Sequence, residues 1–353
     1  REYDTVWAIE PRLTPTGLSR YYGTGLGIPP EVEPGHFDPI IAPLARRAGV
    51  GLEEFVARYA SGELESPELD AMLRHDRAMR ESGHDTSYRL LGRAADLNTV
   101  ALNSLLYKYE ADLANAIDEH FGGRLALDGG GPGNARAVTA ATFRGRAAAR
   151  KARMMDLMWD DEQSLFFDYD YVHKTRLSDV SATTLYPLWA GMLDEAHAMR
   201  LARAALAELE MPGGIVSGTE ESRGIVDEPG VTGTGERPPR QWDYPFGWAP
   251  HQMIAWEGLR RYGMDMDARR LAYRWTYMIA MNAARSNGAI VEKYDVVARS
   301  IDASAEYGNV GSRFRLVPDG GFGWTNASFQ VGVSLLSDEE RRDLNALVPP
   351  EWR

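Results

Sequence analysis

Apolar residues recur at helical spacing along most of the chain. In DLNTVALNSLLYKYEADLANAIDEHF (96–121), Val100, Leu102, Leu105, Leu106, Tyr109, Leu113 and Ala116 fall close to one face of a helix. ARAVTAATFRGRAAARKARMMDLMW (135–159) is rich in Ala, Arg and Met, which are strong helix formers. SATTLYPLWAGMLDEAHAMRLARAALAELE (181–210) predicts two consecutive helices with a break near Leu193-Asp194. APHQMIAWEGLRRYG and DARRLAYRWTYMIAMNAARSNG predict another pair, the second stopped by Gly288. Ser337 and Glu340 have the spacing of a capping box before a last short helix. Strand signals are few. LFFDYDYV (165–172) predicts a small hairpin and AIVEKYDV a short extended piece.

Glycine-, proline- and aromatic-rich turns separate these helices: TGLGIPPEVEPGHFD, RESGHD, RQWDYPFGWAP, VEKYDV and DGGFGWTN. The sequence has no fixed-period repeat of the solenoid kind. The pattern predicts an all-α toroid of helical hairpins over residues 1–353, with small β-hairpin excursions and the functional loops gathered at one end. Residues 218–239, dominated by Gly, Pro and acidic side chains, are expected to form a mobile loop.

Composition narrows the function. The net charge of −12 and the absence of a long basic run disfavour nucleic-acid and anionic-membrane partners. No apolar run approaches the roughly 20 residues of a membrane-spanning helix. The chain has no cysteine, which removes disulfides, zinc-thiolate sites and thiol catalysis and fits a reducing, cytoplasmic compartment. The N-terminus REYDTVWAIEPRL carries no signal peptide and no helix cap, and reads as if cut from within a helix.

The chemistry lies in the loops. A site for a neutral polyhydroxylated ligand needs aromatic faces for C–H surfaces and polar forks for hydroxyls. Gln241-Trp242-Asp243-Tyr244 and Gly321-Phe322-Gly323-Trp324 offer both. RESGHDTSYR places Asp85 at a glycine-marked turn between two helices, and VEKYDV places Glu292 in another loop. Each has a plainer use: a capped turn for SGHD, an ion pair with Lys293 for Glu292, a core plug for the aromatics. Together they match the demand of glycoside hydrolysis for one carboxyl that donates a proton and another that activates water or attacks carbon. Chemistry alone equally allows other pairs, such as Asp243 with Glu306. His84 and His251 have no second ligand at helical spacing, so hydrogen-bonded structural roles fit them better than metal binding.

At these loops the sequence resembles the glycoside hydrolase family 37 trehalases, and within them the neutral, fungal-type branch. QWDYPFGWAPHQ (241–252) resembles the family's second signature, and RESGHDTSYR, ALNSLLYKYEADLA, SATTLYPLWAG, VEKYDV, AEYGNVG and GFGWTNASFQVG match in order, from VWAIEPRL to VPPEWR. The resemblance implies an (α/α)6 toroid that hydrolyses α,α-trehalose to glucose with inversion; with no cysteine, no HExxH and no His–carboxylate ligand set, the sequence is expected to need no metal or cofactor. Asp85 would be the general acid and Glu292 the general base, their carboxyls roughly 6.5–9.5 Å apart to admit water. Arg80, Gly83, Glu31, Gln241, Trp242, Asp243, Glu306 and Trp324 would bind the sugar. Other readings keep the toroid with another small α-glucoside, such as a glucosylglycerate, or make the chain a non-catalytic sugar-binding homologue.

The sequence departs from the family in three places. Nothing matches its first signature, so the toroid is expected to be incomplete at its N-terminal side. The missing segment or a second copy of the chain would then be a partner. The loop before Arg240 is longer than in relatives and is expected to be solvated. The calcium-binding, phosphorylated regulatory arm of fungal neutral trehalases has no counterpart.

Overall fold

The structure, a computed structural model, describes all residues except 30–34, 128–135, 225–238, 304, 307–314 and 317–320. The helices among them are α1 (Asp38–Ala48), α2 (Leu52–Ser61), α3 (Pro67–Glu81), α4 (Val100–Phe121), α5 (Ala140–Leu157), α6 (Tyr186–Trp189), α7 (Glu195–Leu209), α8 (Glu220–Arg223), α9 (Ala249–Arg261), α10 (Asp265–Arg285), α11 (Gly323–Leu335) and α12 (Asp338–Asn345). The strands are short and pair antiparallel in small sheets. None of the described helices is long and apolar enough to cross a membrane.

Helical hairpins organise the chain. Helices α4 and α5 pack along one another, joined through the strand pair Arg124–Leu127 and Arg136–Thr139. Helices α9, α10 and α11 pack mutually, with α6 against α9 and α12 against α10. The main core runs from α5 to α12 and buries Trp256, Trp275, Leu201, Leu259 and Leu271. Burying a large apolar side chain contributes about 1.5–3 kcal/mol, so this layer is the chief stabilising element. A second core joins the N-terminal segment to α4 and α5, and a third holds α1, α2 and α3 together.

Helix starts follow the sequence closely. Thr99, Thr139 and Asp194 each accept a hydrogen bond from a backbone N–H of the first turn, which starts α4, α5 and α7. Asp194 falls at the expected break in 181–210. The capping box forms as expected, Ser337 and Glu340 each bonding the other's backbone N–H. Gly288, at φ +82°, follows α10 and returns its N–H to Ala283 O. In the N-terminal segment, Tyr3–Trp7 forms a single wide helical turn.

Two expectations fail for physical reasons. The apolar stripe assigned to α4 is rotated: Leu105 and Tyr109 are 38% and 39% exposed, and the inward face runs through Leu102, Leu106, Glu110, Ala114 and Ile117. Glu110 points inward because Arg150 on α5 donates to its Oε1 (2.8 Å) while bonding Asn103 Oδ1 (2.7 Å). The predicted 165–172 hairpin splits between two sheets. Leu165–Phe166 pairs with Trp159–Asp160, and Tyr169–Asp170 with Leu97–Asn98 and Thr175–Arg176. Asp168, between the two strands, is buried in an ion pair with Arg89 and accepts the Val100 N–H (2.8 Å), which pulls the chain apart there. Of the segment expected to be a mobile loop, Thr219 caps the short helix α8 (Glu220–Arg223), and 225–238 lie outside the described residues.

Candidate active site

Helix α3 delivers the first carboxylate. It ends at Glu81, where Ser82 Oγ donates to Met79 O (2.6 Å) and accepts the His84 N–H (3.1 Å). Gly83 takes φ +74°, a left-handed conformation that most side chains avoid, and reverses the chain. His84 therefore turns inward and Asp85 emerges at 25% side-chain exposure. Arg80, in the last turn of α3, has Nη1 3.9 Å from Asp85 Oδ2. Its Nε donates to buried Asp76 (2.8 Å) and its Nη2 lies 3.2 Å from His36 Nε2.

The segment 240–248 carries the floor of the site. Gln241 Nε2 donates to the Asp85 carbonyl, and the Trp242 N–H to Thr86 O (3.1 Å). Asp243 accepts from Ser87 Oγ (2.8 Å) and from the Tyr88 N–H (2.9 Å). Burial pushes the Asp243 carboxyl up, and these two bonds oppose the shift. Both oxygens of Asp243 are thus committed to the loop that bears Asp85. Arg89 extends the clamp by pairing with Asp168.

The same segment reaches the second carboxylate. Phe246–Trp248 pairs antiparallel with Lys293–Asp295, with Trp248 opposite Lys293. Gly247 permits this closeness: a Cβ there would stand 2.4 Å from Val296 Cγ1 and 2.7 Å from Ile215 O. Gln252 on α9 fastens the neighbouring segment, accepting from Ile215 N (2.8 Å) and donating to Ile215 O (2.6 Å). Trp242 and Trp248 stack face to face with centroids 4.0 Å apart, and Trp324 meets both edge-on. Glu292 precedes the strand at 19% exposure, its carbonyl accepting from Thr325 Oγ1 of α11 (3.1 Å). A continuous set of contacts therefore links the two carboxylate loops: Asp85 to Gln241, Thr86 and His84 to Trp242, Trp242 to Trp248, and Trp248 to Lys293 beside Glu292.

Electrostatics differ at the two ends. Lys293 is fully buried, with Nζ 3.4 Å from Glu292 Oε2 and 5.3 Å from the Trp248 ring centroid. Burial holds the Lys293 ammonium below its ordinary pKa, and the charge of Glu292 opposes that shift. Glu292 is thus both a loop carboxylate and half of an ion pair; the two roles are compatible. Among the described residues no group of three His, Asp or Glu side chains is placed to hold a metal ion.

Of the residues expected at a sugar site, Arg80, Gly83, Gln241, Trp242, Asp243 and Trp324 fall within this contact set. Glu31 lies outside the described residues, as does the side chain of Glu306, whose backbone pairs with Arg315. The Glu292–Lys293 ion pair weighed from the sequence is present. Sequence reasoning missed Asp243 as a clamp and the contact of His84 with His251 (Nε2 to Nε2, 3.3 Å), pairs that join residues 156 and 167 positions apart and carry no local signal.

Comparison with known proteins bears on these loops. The family profile described as Trehalase matches residues 1–337. Cytosolic neutral trehalase of Emericella nidulans is 47% identical, the match covering 99% of this chain and 47% of that protein. Cytosolic neutral trehalase of Saccharomyces cerevisiae is also 47% identical, over 99% of this chain and 46% of its own. The solved structure of neutral trehalase Nth1 from Saccharomyces cerevisiae superposes with a TM-score of 0.86 at 45% identity, covering 99% of this chain and 58% of that one. The chain thus spans about half the length of the curated relatives it matches.

Proposed function

The chain belongs to the trehalase family, and from that premise we propose that its site hydrolyses α,α-trehalose to two glucose molecules by inverting acid–base catalysis. Asp85 donates its proton to the glycosidic oxygen. Glu292 takes a proton from the water that attacks the anomeric carbon from the opposite face. The observation that carries this reading is the pair of half-buried carboxylates on separate loops, tied together through the Trp242–Trp248 stack. The Lys293 ammonium lies 3.4 Å from Glu292 Oε2 and fixes that side chain at the edge of the strand.

Arg80, Trp242 and Trp324 serve as sugar contacts, a guanidinium fork for hydroxyls and indole surfaces for C–H faces. Gly83, Gln241 and Asp243 shape and hold the Asp85 loop. Glu31 and Glu306 are kept as pocket carboxylates on the strength of the motifs that contain them. The relatives are named cytosolic, and we assign this chain to the same compartment.

Trehalose turnover in Asp85→Asn and Glu292→Gln tests the assignment. An amide neither donates the acid's proton nor accepts one from water, so each variant is expected to lose about 10²–10⁴-fold in kcat. Near-wild-type turnover in either variant removes that residue from the mechanism.

A further inference from the structure

The imidazoles of His84 and His251 form a buried pair that the mechanism above does not use. His84 immediately precedes Asp85, and His251 sits in the first turn of α9; both are almost wholly buried. His84 Nδ1 lies 3.1 Å from Ser82 O, a carbonyl that can only accept, so Nδ1 carries the proton and Nε2 a lone pair. His251 Nε2 is 3.3 Å away and must be the donor. The tautomers of both rings follow: Ser82 O accepts from His84 Nδ1–H, and His84 Nε2 accepts from His251 Nε2–H. His251 Nδ1 then holds a lone pair and has no hydrogen-bond partner among the described residues. Both rings also abut Trp242, at 4.8 and 5.3 Å between centroids.

We propose that the His84–His251 hydrogen bond is a brace from α9 that positions Asp85 for proton donation, and that it holds only while both imidazoles are neutral. The proposal rests on Asp85 being the acid. Neither ring is assigned a contact with the sugar, so both are positioning residues. A proton added at His84 Nε2 sets two N–H groups against each other across 3.3 Å. A proton added at His251 Nδ1 creates a buried cation with no partner.

The surroundings oppose protonation as well. Arg89, itself paired with Asp168, faces both rings, and the Tyr186 phenol of α6 packs edge-on against His251. The remaining charged neighbours in sequence are Asp85 beside His84 and, beyond Trp242, Asp243, which is engaged by Ser87 and Tyr88. Burial first and Arg89 second hold His84 well below its usual range and His251 down to about 3. A histidine whose folded value is depressed adds stability above its unfolded value, about 6.5. That contribution is lost as pH falls from there toward 3. The brace is therefore intact near neutrality and fails on acidification.

The experiment compares His251→Gln, which keeps an N–H at a similar reach, with His251→Leu, which removes it. Trehalose is the substrate at neutral pH. The proposal expects kcat at least tenfold lower in His251→Leu with KM within twofold, and His251→Gln within about threefold of wild type. Equal kcat in His251→Leu and wild type, or equal losses in both variants, overturns it. Melting temperature against pH is the second readout, and it serves even where His251→Leu does not fold. Between pH 6.5 and 4, His251→Gln is expected to lose less melting temperature than wild type, and identical slopes overturn the neutrality requirement. Asp85→Asn in the same assay keeps the two claims apart. Full turnover there rejects the acid; loss there with none in His251→Leu rejects the brace alone.

Discussion

The two carboxylates differ in what their removal does to the protein. Asp85 is one-quarter exposed, and Arg80 beside it also bonds Asp76, so Asp85→Asn is expected to leave stability near wild type. Glu292→Gln removes the anionic partner that the described residues give a fully buried ammonium. Stranding that charge costs about 1–3 kcal/mol, the lower part of the range for buried pairs because Glu292 keeps some solvent contact. Its pH dependence has a definite sign. The folded Lys293 pKa is depressed, so the penalty is complete at neutral pH and shrinks as pH rises and the folded amine loses its proton before the unfolded one. The melting temperature of Glu292→Gln should therefore recover toward wild type as pH rises above neutrality toward the ordinary lysine value, about 10.4, and Lys293→Met added to it should restore much of the loss at neutral pH. A deficit that does not change with pH would mean that Lys293 is not the stranded group. At this scale the sequence was legible where chemistry is local. SGHD and EKYD each place a carboxylate on a glycine- or aromatic-flanked loop, but the partners that hold those loops, Asp243 for Ser87 and His251 for His84, come from distant segments.

Among the elements, legibility followed the strength of the apolar period and the caps. Helices α7, α9, α10 and α12 stand close to their expected limits, where propensity and apolar pattern agree, whereas α5 begins only at Ala140 because Arg136–Thr139, expected to be helical, pairs as a strand with Arg124–Leu127. Helices α1 and α2 were not anticipated. Pro43 lies inside α1, Gly49 takes φ +72° just after it, and the preceding stretch is rich in proline and glycine, so the local signals read as a turn. The face of α4 was misjudged because a buried Glu110–Arg150 pair occupies positions that a hydrophobic pattern counts as outward. Helix α11 offers the sharpest test of element packing. Gly332 lets it approach α9 and α10 so closely that a Cβ would lie 2.7 Å from Thr276 Cγ2 and 3.3 Å from the Trp256 ring. Thr276 is fully buried and donates to Ala272 O (2.8 Å), so it has little freedom to give way. Gly332→Ala should destabilise by about 1–3 kcal/mol in denaturant titration, despite alanine's better helix propensity. A neutral or stabilising result would mean that α11 sits farther from α9 and α10. Because α11 also supplies Trp324 and the Thr325 bond to Glu292, the variant should lose activity together with stability.

For the whole molecule, helical hairpins place loops far apart in sequence side by side, which is how residues near 85, 242, 248, 292 and 324 come to share one contact set. The helical-hairpin architecture was legible from the sequence. The wiring between loops was not, since the strand pair of Phe246–Trp248 with Lys293–Asp295 joins segments separated by two helices. In the proposed mechanism Asp85 and Glu292 act from opposite faces of one glycosidic bond. The direct measurement is proton NMR of trehalose hydrolysis begun immediately after mixing, before mutarotation of the products. Inversion predicts one β-glucose from the attacked ring and one α-glucose from the departing ring for every trehalose consumed. Initial release of α-glucose alone, or no glucose at all, would contradict it.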